Sequence, residues 1–255
     1  PGDILHFYGL YMATGALMLY AKPGRLLVFA ACAVAAMYAL SAFFPSSAGY
    51  GPAGIWYIDY LTPRGFLRNE FVNGVHPYFP WVAYYLFGMW LAQRGISDRG
   101  RRWRILAIAI AGIALCEAAQ SMWFREGPRI GVPSAPSTPH FLLSYVPDLL
   151  RMGSLESSAV TVIMLSLAIT ELRPGSRSIA ALAVTGKMAL THYLGHTTLV
   201  LGPLFIWDQL EQNHSRWSSL GLALAYCVAA VTFSNLWQKR YRFGPLEAIM
   251  RRICG

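Results

Sequence analysis

Apolar runs of about 17 to 20 residues recur along this chain, and they limit the folds open to it more than any motif does. At 1.5 Å per residue, a helix of that length crosses the ~30 Å hydrocarbon core of a bilayer. The runs fall at about 4–20, 26–44, 77–92, 105–123, 152–170, 185–206 and 218–237. They hold the charged fraction to 13%, where a soluble domain carries about a quarter. The sequence therefore predicts an all-α polytopic bundle of about seven spans, with the lipid bilayer as its first partner.

The basic residues fix the expected orientation. Lys22, Arg25, Arg94, Arg99, Arg101, Arg102, Arg104, Arg173, Arg177, Lys239, Arg240, Arg242, Arg251 and Arg252 fall on one side, fourteen in all. Arg64, Arg68, Arg125, Arg129, Arg151 and Arg216, six in all, fall on the other. The positive-inside rule places the larger group in the cytoplasm, with residue 1 outside and the C-terminus inside. The net charge of +9 is thus topological, with no nucleic-acid partner implied. An outside start without an export signal is explained by an odd number of missing N-terminal spans, so the chain reads as the C-terminal part of a larger membrane domain. Residues 1–238 form the bundle, and 239–255 form a cytoplasmic amphipathic helix lying on the inner leaflet. In that helix Pro245 suits the first turn, and Glu247 suits its positive end.

Two Gly-, Pro- and aromatic-rich segments, 45–78 and 124–140, are expected to be ordered external loops. Trp56, Tyr57, Tyr60, Tyr78, Trp81 and Trp123 gather near the outer boundary, as an interfacial belt or as a ligand-stacking surface. Cys32, Cys116, Cys227 and Cys254 have no metal-ligand spacing and read as buried thiols.

Ionisable residues within spans are costly and therefore carry the functional expectations. His6 reads as a satisfied bundle histidine. Glu117 and Glu156 have no basic neighbour on their own helices, and are either bundle glue or part of a site. Asp148 and Arg151, three residues apart, can pair on one helix face. In "GKMALTHYLGHTT", Gly186 is expected to separate an interfacial segment from the membrane helix. Lys187 would then snorkel to the inner headgroups or hold a phosphate-bearing cofactor. His192 and His196 share a face at four-residue spacing. Tyr193 stands where a zinc-protease helix needs Glu, and no third ligand is placed, so no metal is expected.

The stretches "DILHFYGLYMATGALML", "FVNGVHPYFPWVAYYLFGMWLAQRG", "VTGKMALTHYLGH" and "YRFGPLEAIMRR" resemble the later two-thirds of bacterial YeiB-type membrane proteins of unknown function. These in turn resemble heparan-α-glucosaminide N-acetyltransferase and the wider transmembrane acyltransferase superfamily. The resemblance implies a larger bundle that moves an acyl group from cytosolic acyl-CoA to a sugar amine or hydroxyl on the far side. The family's Arg-Gly-bearing first span and the acetyltransferase's catalytic histidine have no counterpart here, so no residue inherits that histidine's role. By position, Asn73, His76 and Trp81 match the external motif, and Lys187, Thr191 and His196 match the motif of the sixth run.

The expected catalytic groups are His196, His192, His76, Glu156 and Glu117. Substrate contacts are assigned to Asn73, Trp81, Thr191, Asp148 and Arg151, and the acyl-CoA contact to Lys187. The other readings are a transporter or export component, and a non-catalytic subunit acting as a homodimer or within a membrane complex. A bacterial inner membrane is the expected location. The orientation predicts that a cysteine placed at Ser47 is labelled by an impermeant maleimide in intact cells, while one placed at Ser176 is spared. The reverse pattern would sink the topology.

Overall fold

The structure, a computed structural model, describes residues 4–41, 43–44, 48–51, 57–126, 145–206 and 215–254. The expected external loop at 124–140 and Trp56 therefore lie largely or wholly outside the described residues. The described chain is helical, with one isolated bridge between Tyr50 and Tyr57 and no named strand among the described residues. It divides into two compact units, Pro1–Ala168 and Ile169–Gly255.

In the first unit, α1 (Leu5–Leu17) and α2 (Pro23–Ser41) lead to a loop that carries α3 (Pro63–Arg68). Thr62 caps α3 by accepting the Gly65 N–H at 3.0 Å, and Pro63 presets the first turn. A π-helical turn, Asn69–Asn73, continues from it. Then follow α4 (Tyr78–Ala92), α5 (Arg99–Glu126) and α6 (Val146–Leu172), whose last turn passes into the second unit.

Two apolar clusters hold these helices. Phe7 and Tyr11 of α1 meet Leu26 and Ala33 of α2 and Val82, Ala83 and Leu86 of α4. Leu91 of α4 meets Leu106 and Ala109 of α5 and Val160 and Met164 of α6. Gly112 lets α5 and α6 approach, since a Cβ there would lie 2.6 Å from Ser157 Oγ. Arg102, counted above as an orienting charge, is only 3% exposed. Its guanidinium donates to the carbonyls of Ile96 (3.2 Å) and Ser97 (3.0 Å), stapling the turn before α5.

The second unit holds α7 (Arg177–Gly186), α8 (Ala189–His196), a π turn (Thr197–Leu201), α9 (Gly202–Ile206), α10 (Arg216–Trp237) and α11 (Pro245–Cys254). The expected break at Gly186 is present: α7 ends there, and Met188, with φ −113° and ψ 30°, separates it from α8. Asn235 Nδ2 of α10 donates to Ala181 O of α7 at 3.3 Å, and α11 packs beside α8.

Among the described residues, four helices are long and apolar enough to cross a membrane: Pro23–Ser41, Arg99–Arg125, Val146–Leu172 and Trp217–Trp237. Three of the seven expected spans fall short of this. α1 has 13 residues and α4 has 15, and the sixth run is divided among α7, α8, the π turn and α9. The long helices carry large apolar side chains on their exposed faces, such as Val162 and Val228. In water that surface would drive association, whereas lipid solvates it.

Met164 is fully buried where α4, α5 and α6 meet. Met164→Ala should therefore cost about 2–5 kcal/mol and lower the melting temperature in detergent. Changing its exposed neighbour Leu165 to Ala should leave the melting temperature nearly unchanged.

Candidate functional site

A polar cluster lies where the start of α1 meets the loop between α2 and α4. The π turn carries Glu70 inward until only 3% of it is exposed. His6 Nε2 stands 3.1 Å from Glu70 Oε1, an ion-pair contact, since that oxygen has no aligned hydrogen bond. Next in the loop, His76 sets its ring 4.7 Å from Trp81 and 6.4 Å from Phe7. The Tyr11 hydroxyl donates to the His76 carbonyl at 2.6 Å, while His76 Nδ1 is buried without a hydrogen-bond partner. Burial pushes the Glu70 carboxyl above its usual range, against the opposing pull of His6. Burial, and then the charge of His6, push the His76 imidazole down, which favours its neutral form.

A second network shapes the loop beside this pair. Tyr57 Oη donates to Asn73 Oδ1 at 2.8 Å, and Asn73 Nδ2 donates to Ala48 O at 2.7 Å. Tyr50 Oη donates to the Asn73 carbonyl at 3.0 Å. Arg68 donates to Tyr57 Oη at 2.8 Å and pairs with Asp59 at 2.5 Å. Asn73 was expected to touch substrate. In the structure it ties the loop together, with both ends of its amide engaged.

Glu117 and Glu156 belong to the α5–α6 neighbourhood. Glu117 accepts from Ser154 Oγ of the neighbouring helix at 2.5 Å. Glu156 lines two cavities, of about 390 and 260 Å³. Asp148 and Arg151 are both exposed, and no ion pair joins them among the described residues. Helical spacing permitted that pair, but two solvated side chains gain little by forming it.

In the second unit, both histidines of the sixth run contact α10. His192 Nε2 and Ser234 Oγ are 2.6 Å apart, and Tyr226 donates to the His192 carbonyl at 2.6 Å. The His196 ring meets the Tyr226 ring edge-on at 5.3 Å. Lys187 is exposed at the end of α7. Thr191, expected to contact substrate, is clamped by α11. Glu247 accepts the Thr191 N–H at 2.9 Å and also its hydroxyl, while Thr191 Oγ1 accepts the Leu246 N–H at 3.2 Å. Glu247 thus satisfies a free donor in the first turn of α8 as well as sitting at the start of its own helix. Among the described residues, no three His, Cys, Asp or Glu side chains are grouped to hold a metal.

Long apolar helices with lipid-compatible faces define an integral membrane protein. The chain belongs to the family described as "Protein of unknown function (DUF418)", whose model matches residues 89–254. This is the YeiB-type family that the sequence motifs resemble. Residues 3–121 match the model for heparan-alpha-glucosaminide N-acetyltransferase, catalytic.

An uncharacterized 39.9 kDa protein in the amylase 3′ region of Bacillus acidopullulyticus is 38% identical over 80 residues, which is 30% of this chain and 22% of the relative. The uncharacterized protein YeiB of Escherichia coli (strain K12) is 33% identical over 75 residues, 29% of this chain and 19% of the relative. The matched stretches thus span about a fifth of these curated relatives. No solved structure matches the chain.

Glu70 was not singled out from the sequence. Its signal was there: it is the one acidic residue between Asp59 and Asp98, set among aromatic and apolar neighbours.

The Glu247 clamp makes stability pH-dependent. Burial raises this carboxyl, but the hydrogen bonds from Thr191 and nearby backbone outweigh it and hold the group below its ordinary value. The folded chain then binds fewer protons than the unfolded one, so the contribution is present above about pH 4.3 and is lost as pH falls through the folded value. Glu247→Ala should lower the melting temperature at pH 7 and flatten its acid decline. A variant with an unchanged acid limb would remove the clamp's role.

Proposed function

We propose that this chain is part of a membrane acyltransferase that passes an acyl group from cytosolic acyl-CoA to an amine or hydroxyl of an extracytoplasmic sugar. The observation that carries the reading is the His6–Glu70–His76 cluster, which falls within the stretch matching the acetyltransferase catalytic model. A bacterial inner membrane, with the C-terminus cytoplasmic and this cluster facing outward, fits the distribution of basic residues.

His76 is the base in this reading. A neutral imidazole with an unpartnered ring nitrogen can take the proton from the acceptor amine or hydroxyl as it attacks the thioester carbonyl. The carbon–sulfur bond then breaks and coenzyme A leaves as the thiol, with His76 returning the proton. Trp81, edge-on to His76, offers an apolar wall to a sugar face. Glu70 and His6 position His76 through charge and packing. Lys187 attracts the phosphates of the donor from the cytoplasmic side without touching the reacting carbonyl.

The test is acyl transfer by the full-length protein in micelles. His76→Gln should lower kcat by about 10²–10⁴-fold with the donor KM unchanged, whereas Lys187→Ala should raise the donor KM at constant kcat. Because the His76 value is pushed down, kcat/KM should rise with pH along a limb below about 6.5 and be flat at neutrality. If His76→Gln keeps the wild-type rate and only melts earlier, the cluster is structural and the enzyme reading loses its base.

A further inference from the structure

The larger cavity of the first unit, about 390 Å³, lies between α4, α5 and α6 and is lined mainly by apolar side chains. On α5 its lining runs from Arg101 to Gly112, roughly 16 Å at 1.5 Å per residue. Ile108, beside its opening, is 72% exposed, so the cleft is reached from the side, where lipid lies.

The two ends of the cleft differ in charge. At one end stand the guanidiniums of Arg94 and Arg101. Arg94 stacks on the Trp90 ring at 4.8 Å, and Arg101 donates to the Arg94 carbonyl at 2.5 Å. Asp98, the nearest acid in sequence, accepts the Arg101 backbone N–H at 2.6 Å, and no carboxylate forms an ion pair with either guanidinium among the described residues. Trp90 lends its ring to the lining beneath the Arg94 guanidinium. This end therefore offers two cations. At the other end Glu156 and Ser157 line the cleft, and no lining residue there is a cation.

We propose that this cleft binds one anionic phospholipid of the bilayer. An acyl chain lies along the apolar walls, and the phosphate sits against Arg94 and Arg101. The two arginines set that direction, since no other cation lines the cleft. Two guanidiniums without an acidic partner offer a phosphate charge-assisted hydrogen bonds. The proposal does not rest on the acyl-transfer reading, because it uses neither His76 nor an acceptor.

The experiment is native mass spectrometry of the full chain in detergent, titrated with dioleoyl-phosphatidylglycerol and, separately, dioleoyl-phosphatidylcholine. One phosphatidylglycerol should bind saturably, with at least about tenfold preference over phosphatidylcholine, as two surface-near arginines provide. The double variant R94Q/R101Q should lose that preference while keeping its melting temperature in phosphatidylcholine. Ile108→Trp, on an exposed position where folding is not at stake, should obstruct the opening and weaken phosphatidylglycerol binding by a similar factor. Equal binding of the two lipids, or a preference that survives both variants, would overturn the proposal. Displacement of phosphatidylglycerol by stoichiometric palmitoyl-CoA would also overturn it, giving the cleft to a soluble amphiphile while leaving the acyl-transfer reading standing.

Discussion

A polar group surrounded by hydrocarbon keeps its place only if another part of the chain satisfies it, and this requirement organises the structure. Lipid tails are as apolar as leucine, so the outer faces of membrane helices gain little by choosing one neighbour over another. The choice falls to polar contacts between distant residues. Ser154 reaches Glu117 across 37 residues, His192 meets Ser234 across 42, and Glu247 meets Thr191 across 56. Each such bond is modest, on the order of 1 kcal/mol. Their directionality does what apolar area cannot: it selects which faces meet. The apolar clusters around Leu86 and Met164 then fill the space those bonds define.

Much of the class was legible beforehand, because apolar run length is a direct physical signal. The break after Gly186 was legible too, since glycine weakens a helix and a lysine follows it into the gap. Individual element lengths were less so. The first apolar run extends to Tyr20, yet α1 stops at Leu17. Pro23 begins α2 and disfavours helical geometry in the residue before it. The pairing of Glu70 with His6 was hidden for another reason. It depends on the π turn at Asn69–Asn73, which has no composition of its own and becomes visible only when the backbone is seen. Asp148 and Arg151 erred the other way: spacing made a pair available, and solvent made it unnecessary.

The two family matches meet on this chain in an instructive way. The acetyltransferase-like match covers 3–121 and includes the buried acid and both histidines of the His6–Glu70–His76 cluster. The DUF418 match covers 89–254 and includes the interrupted helix with its clamp. The "KMALTH" and "GPLE" motifs, far apart in sequence, are therefore one physical object, a helix start and the carboxylate that caps it. Motifs that look independent on a line of text can owe their pairing to a single bond.

The π turn at Thr197–Leu201 has a consequence for how such a chain can change. It sits between α8 and α9 and holds an extra residue within otherwise helical backbone. Losing one residue there would restore ordinary helical winding and leave what lies beyond it facing nearly as before, because the wider turn already absorbs the extra residue. His192 and His196 would keep their faces, and so would Leu204 and Ile206. A single codon deletion could thus shorten this helix without changing the surface that α9 presents. The turn acts as a length buffer in the lineage, where regular helix would be twisted out of register by the same change.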